Sequence, residues 1–130
     1  MSYYTDCINS IYKQHFPNQA QLERIVLAKQ FIDAHACDAI TLRQMAGIAC
    51  LSVFHFTRLF KRCYGCTPHQ YLTTVRIRKA KQLLAEGVTV SNTGFFTGYT
   101  SITSFTALFK KITGTTPVAY RQKKQFSRAR

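Results

Sequence analysis

The sequence predicts an all-α fold with two helix-turn-helix subdomains joined by a long linker helix, about seven helices in total. Three observations lead there. Only 6 glycines and 3 prolines interrupt 130 residues, while 46% of the chain is apolar, enough for a packed core. Apolar residues recur at three- and four-residue spacing, with little strand-like alternation. Residues 52–71 (SVFHFTRLFKRCYGCTPHQY) also match residues 101–120 (SITSFTALFKKITGTTPVAY) at ten of twenty positions, an offset of 49, so one structural unit is built twice.

The elements follow in order. Residues 1–20 read as an N-terminal extension holding at most a turn or short helix. Gln21 to Ala36 reads as one amphipathic helix that packs on the first unit through Leu22, Ile25, Val26, Ala28 or Lys29, and Ile32. Thr41 and Gln44 have the spacing of a capping box, with Ile40 and Met45 as its hydrophobic staple. Leu42, Met45, Ala46 and Ala49 then face inward, and a turn from Ala49 to Leu51 leads to Ser52, a good N-cap. Beyond it, Phe56, Leu59, Phe60 and Cys63 form one buried stripe, with Phe54, His55, Thr57, Arg58, Lys61 and Arg62 opposite. Helix, tight turn, helix is the arrangement whose second helix enters a major groove.

Gly65 ends that helix, and Thr67, Pro68 and Gln70 open the next, which runs to about Ala85 before Gly87. Its apolar positions are Tyr71, Leu72, Val75, Ala80, Leu83 and Leu84. At 1.5 Å per residue it is about 27 Å long, a spacer suited to recognition helices roughly one DNA turn, about 34 Å, apart. The second unit is weaker on paper. Its first helix, Val90 to Thr97, contains Ser91, Asn92, Thr93 and Gly94, and the glycine alone costs about 1 kcal/mol against alanine. Packing through Val90, Phe95 and Tyr99 is expected to compensate, and the turn that follows is one residue longer than in the first unit. The chain thus divides into 1–20, a first unit with the linker helix at 21–86, a second unit at 87–121, and a basic tail at 122–130 that is expected to be mobile.

Charge is distributed unevenly. Residues 1–38 carry a net −1, whereas residues 39–130 carry fifteen Lys or Arg against the single acid Glu86, a net +14. A field so one-sided calls for a polyanion, with nucleic acid favoured over an anionic membrane surface. No stretch has the pattern of a signal peptide or a membrane span. The five cysteines are expected to be reduced thiols in a cytosol.

Residues 40–121 resemble the DNA-binding domain of the AraC/XylS family of bacterial transcription regulators. The matching features are Ala46 to Ser52, Phe56 to Phe60, Gly65, Thr67-Pro68 and Tyr71, then Arg76-Ile77-x-x-Ala80-x-x-Leu83-Leu84 and Gly98-Tyr99. They continue through Phe105 to Phe109 and Gly114-x-Thr116-Pro117-x-x-Tyr120-Arg121. The resemblance implies a seven-helix fold, two recognition helices in successive major grooves, and a role in switching promoters. It also implies double-stranded DNA as partner, RNA polymerase as a protein contact, and a cytoplasmic, nucleoid-associated location. With no dimerisation heptad, a monomer is expected. Two departures stand out. Gly94 replaces the family's usual alanine, and Ala107 occupies the position of Arg58, so the first unit is expected to carry more of the specificity. The few residues before the first unit leave no room for the sensor domain that most members carry, so the chain reads either as a stand-alone binder or as an excised fragment, with Met1 mildly favouring the former.

The candidate base-contacting residues are Phe54, His55, Thr57 and Arg58 in the first unit and Ile102, Thr103 and Thr106 in the second. Arg58 can grip guanine O6 and N7 in a bidentate geometry, or else hold a phosphate or remain solvated. Phe54 and Ile102 can press on a thymine methyl, although Phe54 could equally pack on the preceding helix. Lys61, Arg62, Lys110 and Lys111, with the helix caps Thr67 and Thr116, are the candidate phosphate contacts. Arg76 fits a structural hydrogen-bonding role better than DNA contact. Cys63, Cys66 and His69 could suggest zinc, but the repeat places Ile112, Thr115 and Val118 at the same positions and builds the same unit without them. Cys63 is better read as a small hydrophobe. No acid pair, nucleophilic set or phosphate-binding glycine loop points to catalysis, and neither cofactor nor metal is expected.

Overall fold

The computed structural model describes residues 18–128, which form seven helices and no strand. They are α1 (Gln19–His35), α2 (Leu42–Ile48), α3 (Val53–Tyr64), α4 (Pro68–Ala85), α5 (Val90–Phe96), α6 (Ile102–Thr113) and α7 (Pro117–Arg128). Most of the N-terminal extension, with Cys7, lies outside the described residues. The chain divides into two compact units. One holds α1 through Ala34 with Thr41–His69, and the other holds His35–Ile40 with the chain from Gln70 onward.

In the first unit, α1 begins with a reciprocal cap. The Gln21 amide donates to Asn18 Oδ1 at 2.8 Å, and the Asn18 amide donates to Gln21 Oε1 at 3.2 Å. Its inward stripe is Ile25, Ala28 and Ile32, all fully buried. Leu22 and Val26, expected inside, are 39% and 44% exposed, because they lie off that stripe by one helical step. The capping box on α2 forms as expected, with the Gln44 amide 3.1 Å from Thr41 Oγ1 and the Thr41 amide 2.9 Å from Gln44 Oε1. Met45, Ala46, Ala49, Phe56, Leu59 and Phe60 are buried, with the Phe56 and Phe60 rings 5.7 Å apart. Each such phenyl ring contributes roughly 2–3 kcal/mol through burial.

The second unit repeats this plan. Its core joins Ile77, Ala80 and Leu84 of α4 to Phe105 and Phe109 of α6, with Val90, Tyr99 and Tyr120 packed against them. Phe95 does not compensate for the weak α5, since it is 73% exposed. The inward residues are Thr93, Gly94 and Thr97, which lie across the helix from it. What holds α5 is a cap at Thr89, whose hydroxyl accepts from the Asn92 amide at 3.2 Å, and the Thr97 hydroxyl, which donates to Thr93 O at 2.7 Å. Gly94 brings α5 close to α6, and a Cβ there would sit 3.2 Å from the Phe105 ring.

The duplication extends beyond the twenty residues of the direct match. Arg24-Ile25-x-x-Ala28-Lys29-Gln30-x-Ile32 on α1 reappears on α4 as Arg76-Ile77-x-x-Ala80-Lys81-Gln82-x-Leu84, at an offset of 52. Ile25, Ala28 and Ile32 are buried on one helix and Ile77, Ala80 and Leu84 on the other. Each copy therefore comprises a long helix, a short helix, a recognition helix and the start of the next long helix. The turns correspond as well. Leu51 N donates to Ala46 O and Tyr99 N to Gly94 O, each at 3.0 Å, and Thr100 is the extra residue of the second turn.

The tail is helical through Arg128, because α7 continues to that residue. Hydrogen bonds of Gln125 Nε2 (3.2 Å) and Arg128 Nη1 (2.8 Å) to Ala85 O secure it, so polar docking replaces the missing apolar stripe.

Candidate nucleic-acid interface

The two recognition helices have matched ends. Ser52 Oγ accepts from the His55 amide at 3.2 Å, and Ser101 Oγ accepts from the Ser104 amide at 3.3 Å. Gly65 (φ 77°) and Gly114 (φ 84°) close them in the left-handed conformation, donating to Lys61 O and Lys110 O. Each helix buries two phenylalanines inward and leaves its other face in solvent.

On α3 that face carries Val53, Phe54, His55, Arg58, Lys61 and Arg62, all exposed. Phe54 is 72% exposed, which rules out packing on the preceding helix. Its ring lies 5.5 Å from the Arg58 guanidinium carbon, a cation–π stack one helical turn long. Thr57 is half-buried, and its hydroxyl donates to Val53 O at 2.8 Å, which leaves the oxygen lone pairs and the methyl to meet a ligand. On α6 the corresponding face carries Ile102 (50% exposed), Thr103 and Ala107, with Thr106 half-buried and Lys110 and Lys111 exposed at the C-terminal end. Val53 (39% exposed) is the counterpart of Ile102 on this face, since the repeat pairs the two positions.

Behind each recognition helix, the next helix starts at a buried proline, Pro68 or Pro117. Thr116 Oγ1 accepts from the Ala119 amide at 3.1 Å, so it caps α7 as expected; Thr67 is half-buried. Arg76 is structural. Its Nε and Nη2 donate to Ala36 O and Asp38 O just beyond α1, and its guanidinium lies 5.5 Å from the centre of the Tyr99 ring. Arg121 performs the same task after α4, donating to Val88 O at 3.1 Å and Gly87 O at 2.8 Å.

The electrostatics favour an anionic ligand. Among the described residues, no ion pair engages Arg58, Lys61, Lys110 or Lys111. The thiols of Cys37, Cys50, Cys63 and Cys66 are free. Burial pushes the Cys63 thiol up, toward the neutral form, and Cys63 itself is half-buried. Among the described residues no three His, Cys, Asp or Glu side chains are grouped to hold a metal. No described helix is long and apolar enough to cross a membrane.

Residues 45–123 match the family described as a helix-turn-helix domain. Among curated relatives, the probable transcriptional regulator LumQ of Photobacterium leiognathi is 33% identical over 107 residues, covering 80% of this chain and 43% of that protein. The bifunctional transcriptional activator/DNA repair enzyme AdaA of Bacillus subtilis is 33% identical over 101 residues, covering 77% and 48%. The chain thus spans less than half the length of these relatives. Among solved structures, the DNA-binding domain of AdpA, in complex with a target DNA, superposes with a TM-score of 0.78 at 24% identity, covering 82% of this chain and 97% of that one. The C-terminal domain of the response regulator AraT from Geobacillus stearothermophilus superposes with a TM-score of 0.72 at 28% identity, covering 76% and 84%.

Proposed function

This chain belongs to the helix-turn-helix family of AraC/XylS type, and from that premise we propose that it binds double-stranded DNA sequence-specifically and regulates transcription. In this reading α3 and α6 enter successive major grooves. The observation that carries it is the duplicated recognition helix, twice capped by serine and closed by glycine, with a solvent-facing side rich in donors and apolar groups. A binder relying on charge alone would have no use for two helices prepared so alike.

Arg58, with Phe54, His55 and Thr57, reads bases in the first unit, and Ile102, Thr103 and Thr106 do so in the second. Lys61, Arg62, Thr67, Lys110, Lys111 and Thr116 hold phosphates. The first unit carries more of the specificity, since Ala107 leaves α6 without a long donor where α3 has Arg58. We further assign the protein to the cytoplasm, as a monomer that contacts RNA polymerase at its promoters and has no catalytic site of its own. Selection from a random duplex pool tests the reading. A discrete preferred site is expected, and uniform affinity across the pool would overturn it.

A further inference from the structure

Within the second unit, a cavity of about 300 Å³ opens between α4, the end of α6 and the start of α7. It is lined by Lys81, Thr113, Thr115, Ala119, Tyr120, Lys123 and Lys124. The first copy provides a control for what this location needs. Lys81 corresponds to Lys29 and Thr113 to Tyr64. In the first copy the Tyr64 ring packs 4.8 Å from that of Phe60, and Lys29 Nζ lies 5.8 Å over it and 3.2 Å from Asp33.

The second copy removes each of these. Thr113 replaces the tyrosine and leaves the space empty, its hydroxyl turned back to Phe109 O at 2.8 Å. Ala85 stands where Asp33 balances Lys29. Lys123 and Lys124 replace the neutral Thr74 and Val75 of the first copy. Lys124 Nζ lies 5.6 Å over the Tyr120 ring, and no ion pair among the described residues engages any of the three lysines. The matching positions thus carry Tyr64 beside an ion-paired lysine in the first copy, whereas the second copy has Thr113 beside a cavity lined by three exposed lysines that no ion pair among the described residues engages. The three ammonium groups are exposed, and an anion seated among them would lower their mutual repulsion further than solvent does. Three ammonium groups, each a compact donor of up to three hydrogen bonds, suit a tetrahedral oxyanion.

The geometry points to a phosphate-binding site in this cavity, held by Lys81, Lys123 and Lys124 and roofed by Tyr120. The phosphate has two possible sources, a small phosphate monoester and the DNA backbone. The second rests on the DNA-binding reading above, whereas the first is independent of it.

The test uses the full chain with phenyl phosphate as probe, at constant ionic strength in chloride, following the backbone amides of Thr113, Gly114 and Thr115 by NMR. In parallel, the salt dependence of duplex binding is measured on the selected site. Two variants accompany the wild type. K81Q/K123Q/K124Q removes the charge, and T113Y fills the cavity while keeping every lysine, with Tyr64 as precedent for its fit. A saturable phenyl phosphate shift that weakens at least tenfold in both variants identifies a monoester site. No such shift, with a salt slope shallower by about 0.9 or more in both variants, identifies a backbone phosphate. Shifts equal in wild type and T113Y, or neither response, would overturn the proposal. A chain that binds phenyl phosphate but no duplex would retain the site and sink the DNA-binding reading instead.

Discussion

Replacing Gly98 with alanine is expected to destabilise the second unit by about 3 kcal/mol, whereas replacing Cys50 at the same turn position with glycine is expected to stabilise the first. Gly98 has φ +96°, and left-handed backbone costs a residue with a Cβ roughly 1–2 kcal/mol. An added Cβ would also lie 3.1 Å from Cys37 O and 3.2 Å from Arg76 Nη2, so the guanidinium must retreat. Losing one of its hydrogen bonds to Ala36 O or Asp38 O adds about 1.5–3 kcal/mol, typical of a charged donor. Lower unfolded-state entropy returns only about 0.4–1 kcal/mol. Cys50 has φ 55° and an exposed side chain, so glycine there relieves strain without emptying the core. After glycine's own entropy cost, the net gain is about 0.5–1 kcal/mol. Urea unfolding followed by circular dichroism measures both, and exchange of the Tyr99 and Leu51 amides assigns each effect to its unit. A Gly98→Ala variant within 0.5 kcal/mol of wild type would refute the reasoning, as would a loss from Cys50→Gly exceeding that from Gly98→Ala.

Other expectations follow from the same structure. Arg58→Ala should relax preference at one base position at a cost of about 1–3 kcal/mol, read from duplex selection; an equal loss on every sequence would make Arg58 a phosphate contact. Thr103→Ala with Thr106→Ala should cost less specificity than Arg58→Ala, and the reverse order would show the two units ranked backwards. Ser52→Ala and Ser101→Ala should each lower stability by about 1 kcal/mol in thermal melts, whereas unchanged melts would mean the caps are idle. Burial raises the Tyr99 hydroxyl and the Cys37 thiol, in both cases against the pull of the Arg76 guanidinium. Their protonated forms therefore favour the folded state. That stability is fully present below the unfolded values of about 8.5 for cysteine and 10 for tyrosine, and is lost as pH rises through the folded ones. The urea midpoint should fall above about pH 8.5, and Tyr99→Phe should flatten the fall above pH 10.

Hydrophobic periodicity and capping chemistry made the recognition helices legible, because both signals are local. Ser52 with its stripe through Phe56 and Phe60 placed α3, and the repeat then placed α6. Interactions without a periodic signature stayed hidden. The cap at Thr89 has Asn92 three residues on, where a capping box has Glu or Gln, and α5 was undervalued in consequence. The docking of α7 depends on Gln125 and Arg128 reaching a carbonyl forty or more residues away. The inward stripe of α1 was blurred by Leu22 and Val26, equally apolar but one step off. At the candidate interface, the sequence supplied the residues of the exposed faces but not the pairing of Phe54 with Arg58, nor the internal bond that occupies the Thr57 hydroxyl.

That pairing bears on kinetics as well as affinity. A free arginine samples many rotamers, and fixing it on a target sacrifices up to about 2 kcal/mol of side-chain entropy. With its guanidinium resting on the Phe54 ring, Arg58 has already surrendered part of that freedom before any partner arrives. Phe54 thus steadies Arg58 in addition to any contact its own ring makes with a base, and Phe54→Ala is expected to slow productive docking as well as to remove that contact. On α6, Thr103 and Ala107 stand in place of this pair, and there is no long side chain to hold in readiness.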